Sequence, residues 1–138
     1  MARPVFVDTS CWIGYFMPRD QHHEAAVELL ERLGLEGRPL VTTDLVIAET
    51  VTFLRMKGSA RAAARAWDAL ERGEVVRILD TDRARRSKAR EIFGKFEGQR
   101  LSVADCVSFA LMDELGISEA ATFDDDFRAT GHAVLPGR

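Results

Sequence analysis

The chain has only two cysteines, Cys11 and Cys106, far apart and in no CxxC pair. That excludes the paired-thiolate spacing of structural zinc sites. It leaves two small hydrophobes in a reducing compartment, with nothing that demands a disulfide. Histidine is equally sparse: His22 and His23 are adjacent and His132 is distant. Neighbours in sequence cannot share a helix face, so a histidine-built metal centre lacks its parts. No apolar run approaches the roughly 20 residues of a membrane helix, and Val5-Phe6-Val7 meets Asp8 too soon for a signal peptide. A cytoplasmic protein with no membrane partner is the expectation. Neither a GxxxxGK(S/T) nor a GxGxxG loop is present, which removes support for nucleotide triphosphate or dinucleotide binding. Ser10, Ser102 and Ser108 have no nucleophile-elbow context. The DxDxT arrangement of aspartyl phosphatases is also missing, since Thr9, Ser10 and Cys11 follow Asp8.

What remains is an ordinary globular composition, 46% hydrophobic and 30% charged over 138 residues. That length suits one domain with a real core, here taken as residues 1–138. The net charge of −3 is at first sight wrong for a nucleic-acid enzyme. Its distribution is uneven, however. From Arg55 to Arg100 there are 13 Lys/Arg and 7 Asp/Glu, a balance of +6, and the flanks carry −9. A basic middle can track phosphates, or it can be a solvated helical surface.

Short apolar runs alternate with helical patterns along the chain. Strands are expected at Pro4–Val7, Pro39–Thr42, Val75–Leu79, Glu119–Phe123 and His132–Leu135. Between them fall a helix after Asp8 capped by Thr9 or Ser10, and one over His22–Leu33 with Gly34 as its stop. Further helices are expected over Asp44–Lys57, after Ser59 as far as Gly73, over Asp82–Phe96 and over Ser102–Leu115. This alternation predicts an α/β fold with a central, mainly parallel sheet flanked by helices.

Four separated carboxylates stand out. Asp8 and Asp124 each follow a short apolar run and would lie past the carboxyl end of a parallel strand, where open α/β sheets bind ligands. Turn-forming or capping is the other common use of such an Asp. Glu49 has Leu45, Val46 and Phe53 at i−4, i−3 and i+4. Buried there unpaired it would cost several kcal/mol and need a cation or a proton, unless the helix edge reaches water. Asp105 follows Ser102 at the spacing of an N-terminal capping box, which explains it without any catalysis. Brought together, four carboxylates repel one another unless a metal neutralises them. Hard oxygen donors in that number suit Mg²⁺ or Mn²⁺ and phosphodiester hydrolysis.

Val5-Phe6-Val7-Asp8-Thr9-Ser10, Ala48-Glu49, Leu101-Ser102-Val103-Ala104-Asp105 and Ala121-Thr122-Phe123-Asp124 resemble, in order, the acidic motifs of PIN-domain nucleases. The closest likeness is to the small VapC toxins of bacterial type II toxin–antitoxin pairs, and it covers nearly the whole chain. The resemblance implies a PIN-like three-layer fold and an endoribonuclease using metal-activated water. Asp8, Glu49, Asp105 and Asp124 take the role of Mg²⁺ or Mn²⁺ ligands. Asp126 matches a further acid seen in some members, and Thr9 and Thr122 fall where the family places hydroxyls near the site. Asp125 has no assigned role. The resemblance also implies an RNA substrate, a VapB-like antitoxin and a homodimer. Phe53, Leu54, Trp67 and Leu70 could form a docking surface, although core packing explains each of them as well. A housekeeping RNA-processing nuclease and a catalytically silent RNA- or protein-binding module of the same fold remain as alternatives.

Overall fold

A computed structural model describes residues 2–137. Five strands, β1 (Val5–Val7), β2 (Leu40–Thr43), β3 (Arg77–Leu79), β4 (Glu119–Ala121) and β5 (Ala133–Leu135), form one all-parallel sheet in the order β3-β2-β1-β4-β5. Seven helices accompany it: α1 (Thr9–Phe16), α2 (His23–Leu35), α3 (Asp44–Lys57), α4 (Ala60–Glu71), α5 (Arg83–Lys95), α6 (Val103–Leu115) and α7 (Asp126–Ala129).

The three inner strands explain why their sequences read as unbroken apolar or hydroxyl runs. All of β1 and β2 is buried, and so are Ala120 and Ala121 of β4, as expected where helices cover both faces of a parallel sheet. The outer strands β3 and β5 are short and partly exposed, which limits the unpaired edge each presents. The strand at 75–79 is shorter than the apolar run suggests, because Val75 is left exposed and pairing begins at Arg77.

Helix α6 is the central helix. Ala104 and everything from Cys106 to Met112 are buried, so it shows no polar face of the usual kind. It ends at Gly116, whose φ of +68° is a left-handed cap that favours glycine. The stop expected for α2 at Gly34 is not used. Gly34 stays helical, the helix runs on to Leu35, and the chain turns at Gly37, with φ +68°. Helix propensity costs only about 1 kcal/mol at an internal glycine, and buried Leu29, Leu30 and Leu33 hold α2 regardless. Asp8, rather than Thr9 or Ser10, occupies the N-cap of α1, and its side chain makes no capping bond. The short helix α7 has no counterpart in the sequence reading. Four residues are too few to show a helical period.

Cys11 and Cys106 are free and buried. Among the described residues no helix is long and apolar enough to cross a membrane. Of the four apolar residues considered for docking, Leu54 and Leu70 are core, whereas Phe53 and Trp67 reach solvent.

Candidate active site

All five strands point the same way, so their carboxyl ends share one edge of the sheet. The chain leaves β1 towards β2 on one side and returns to β4 on the other. The β1/β4 boundary is therefore the switch point at which crossover connections diverge and leave a crevice. Asp8 follows β1 there, and Thr122 to Asp126 follow β4. Helix α6 runs back to feed β4, which places its N-terminus, with Asp105, at the same edge. Helix α3 starts directly from β2 and carries Glu49 in its second turn.

A hydroxyl clamp holds Asp8. Thr122 Oγ1 donates to Asp8 Oδ2 at 2.8 Å, and Ser10 Oγ lies 3.1 Å from the same oxygen. The clamp is tied back to the β4 loop. Asp124 N–H donates to Thr122 Oγ1 at 3.0 Å, and Phe123 N–H donates to Ser10 Oγ at 2.9 Å. Thr9 Oγ1 donates to Glu49 Oε1 at 3.0 Å, and Asp126 N–H donates to Asp124 Oδ1 at 2.9 Å. Ser10 is the residue that sequence reasoning missed. Its partner segment lies more than a hundred residues away, and the only local signal is a hydroxyl two positions after a strand-end Asp.

The tightest grouping is Asp105, Asp124 and Asp126, each offering a carboxylate oxygen within 4.8 Å of the others. Asp126, carried as an accessory from the resemblance, thus stands beside Asp105 and Asp124. Asp8 and Glu49 lie outside that tight group but still feel the charge of Asp105. The expected capping box is also present. Ser102 Oγ accepts from Asp105 N–H, and Asp105 Oδ2 accepts from Ser102 N–H, both at 3.0 Å. A carboxylate has two oxygens, and the cap uses one.

The energetic weight falls differently from the expectation. Glu49 is on the exposed edge of α3, so the alternative that let it reach water is the one realised. Asp8 is the buried acid, at 4% exposure. Burial pushes its carboxyl up to about 6 against the hydroxyl bonds, and the charge of Asp105 adds to the rise. Glu49 is raised by partial desolvation and then by Asp105. Asp105 is raised by desolvation and then by Asp124. Asp126 is raised by desolvation and then by Asp124. Among the described residues none of these five acids has a Lys, Arg or His nitrogen within 4.0 Å. Asp125 does: Arg128 binds it at 2.8 Å on the surface. Mutual repulsion without a counter-charge is what a divalent cation relieves. The donor set, all carboxylate oxygen, fits Mg²⁺ or Mn²⁺ and has neither thiolate nor imidazole to favour a softer metal.

Fold and site together define an open parallel α/β protein with an acidic centre at its switch point. The chain belongs to the PIN-domain family, whose model matches residues 5–133, and within that family it is VapC-like. It is 34% identical over 128 residues, 92% of this chain and 94% of the relative, to the 23S rRNA-specific endonuclease VapC20 of Mycobacterium tuberculosis strain CDC 1551 / Oshkosh. The crystal structure of M. tuberculosis VapC20, described as a sarcin–ricin loop cleaving toxin, superposes with TM-score 0.83 at 32% identity, covering 94% of this chain and 96% of that one. FitAcB from Neisseria gonorrhoeae shares the fold, with TM-score 0.66 at 22% identity over 94% of this chain and 95% of its own.

Proposed function

We propose that this chain is a divalent-cation-dependent endoribonuclease, the toxin of a VapBC-type pair, acting on a structured loop of 23S rRNA. The observation that carries this reading is the set of five carboxylates at the switch point with no cation within 4.0 Å among the described residues to neutralise them. The RNA target is supported by the VapC20 relative, similar over 92% of the chain.

Asp105, Asp124 and Asp126 are the residues that would hold a Mg²⁺ or Mn²⁺, with Asp8 and Glu49 facing it from β1 and α3. Such a cation supplies charge neutralisation at the phosphodiester and a more acidic water. The chain supplies the rest. Ser10 and Thr122 fix the Asp8 carboxylate so that it does not reorganise during the reaction. Glu49, held by Thr9 and open to solvent, is placed to accept the proton of the attacking water. Its raised pKa makes it the better base. A VapB-like antitoxin would cover these acids in the resting complex, and the toxin would pair as a homodimer. Phe53, Met56 and Trp67, all exposed on α3 and α4, support a protein-covered face there.

Induction in a bacterial host, with 23S rRNA ends mapped by primer extension, tests this. One new end in a loop is expected, absent with Asp8→Asn. Cleavage only in other RNAs would refute the rRNA target and keep the nuclease. No new end in any RNA would return the silent-module alternative.

Ser10→Ala tests the clamp. It removes a hydrogen bond to Asp8 and strands the Phe123 amide, so we expect about 1–2 kcal/mol lower stability and roughly tenfold lower kcat (about 1.4 kcal/mol). Ser10→Thr, which keeps the hydroxyl, should recover most of both. Thermal melts and cleavage kinetics on the same preparations check the pair.

A further inference from the structure

Helix α5 carries six basic side chains (Arg83, Arg85, Arg86, Lys88, Arg90 and Lys95) against a single acid, Glu91. Arg85 is taken by Glu114 at 2.9 Å, and Lys88 lies 3.6 Å from Glu91. Among the described residues Arg86 and Arg90 have no carboxylate within 4.0 Å. Arg86, Arg90 and Phe93 are spaced i, i+4 and i+7 and so share one face. With Ala89, and with Val103 and Val107 of α6, they line a cleft of about 290 Å³. Phe93 is 54% exposed and Val103 61%.

An apolar slot at the low end of the small-ligand range, roughly 300 Å³, framed by free guanidinium groups, has the chemistry of a nucleobase site. Phe93 offers a stacking face, and arginine both stacks on bases and pairs with phosphate. A second copy of the chain fits less well. An isologous contact on this face would bring the same two uncompensated arginines towards their own copies. Position agrees with a nucleic-acid role. Val103 and Asp105 share the first turn of α6, yet residues two apart point to opposite sides. The cleft therefore lies across the width of one helix, about 10 Å, from the acidic centre.

We propose that the α5–α6 cleft is a nucleobase subsite, with an unpaired base of the substrate RNA on Phe93 and its neighbouring phosphates on Arg86 and Arg90. The proposal rests on the RNA reading above. Its test is binding, by fluorescence anisotropy, of a fluorescein-labelled RNA stem–loop to the full chain carrying Asp8→Asn, without divalent cation. Phe93→Ala should weaken binding about tenfold and Phe93→Trp should restore it. Arg86→Gln with Arg90→Gln should weaken it as much and reduce its salt dependence by roughly one to two phosphate contacts. An abasic nucleotide at one loop position should remove the effect of Phe93→Ala. RNA binding indifferent to Phe93 overturns the subsite but leaves the RNA reading intact, whereas no RNA binding by any variant overturns both. Loss of self-association in sedimentation, with RNA affinity unchanged, would make the cleft a contact between copies and also overturn the proposal.

Discussion

Asp105→Asn is expected to lower RNA cleavage about a thousandfold while the protein stays folded. Asp105 is the one acid whose charge is felt by Asp8, Glu49 and Asp126, and it is itself raised by Asp124. Removing that charge takes away one donor of the tight group and the group's electrostatic link to Asp8 and Glu49. A loss of about 4 kcal/mol of transition-state stabilisation corresponds to this factor. Stability should change by less than about 1 kcal/mol, because asparagine keeps an oxygen able to accept the Ser102 amide at the helix start. Single-turnover kinetics and a urea melt on the same protein separate the two roles. An unfolded variant, with normal activity in whatever fraction folds, would mean that Asp105 is only a cap.

Asp8→Asn should abolish cleavage to a similar degree and yet make the metal-free protein more stable at neutral pH. The folded-state pKa of Asp8, about 6, lies above its ordinary value of 3.8. The native state therefore binds the extra proton in that window, and stability falls as pH rises from about 4 to 6. Above the window the cost of the buried charge is complete. Two pKa units correspond to about 3 kcal/mol, from a side chain with almost no solvent screening. Asparagine carries no charge there, so the variant should gain about 2 kcal/mol at pH 7.5 and little at pH 4. Added Mn²⁺ should narrow the gap by stabilising the wild type more than the variant, which keeps Asp105, Asp124 and Asp126 but lacks the Asp8 charge facing them. Calorimetry across pH, with and without Mn²⁺, reads this. A variant less stable than wild type at pH 7.5 without metal would contradict the burial argument.

Much of the fold was legible because strand and helix periods are strong in this chain. Asp44–Lys57 reads as a helix from its first residue to its last. Ser59, Asp82 and Ser102 announce the starts of three others, and each accepts the expected capping bond. What misled was local. Gly34 looks like a stop, but packing of α2 overrides a modest propensity cost. The acids themselves were legible by type and order, whereas their environments were not. Glu49 has apolar neighbours in sequence and still sits at an exposed edge, because burial depends on what packs against the helix. Asp8 looks like any strand-end aspartate, and only the sheet and α1 around it make it buried. The link from Ser10 to Thr122 and Phe123 crosses the whole chain, and no spacing could reveal it.

Cleavage of a 23S rRNA fragment by the purified chain, stripped of metal and then given Mn²⁺, bears most directly on the acidic centre. Stripped protein should be silent, Mn²⁺ should restore cleavage of the wild type, and Asp105→Asn should stay about a thousandfold slower at any cation concentration. Cleavage that persists in the stripped wild type, or that survives unchanged in Asp105→Asn, would show that these carboxylates are not where the reaction happens.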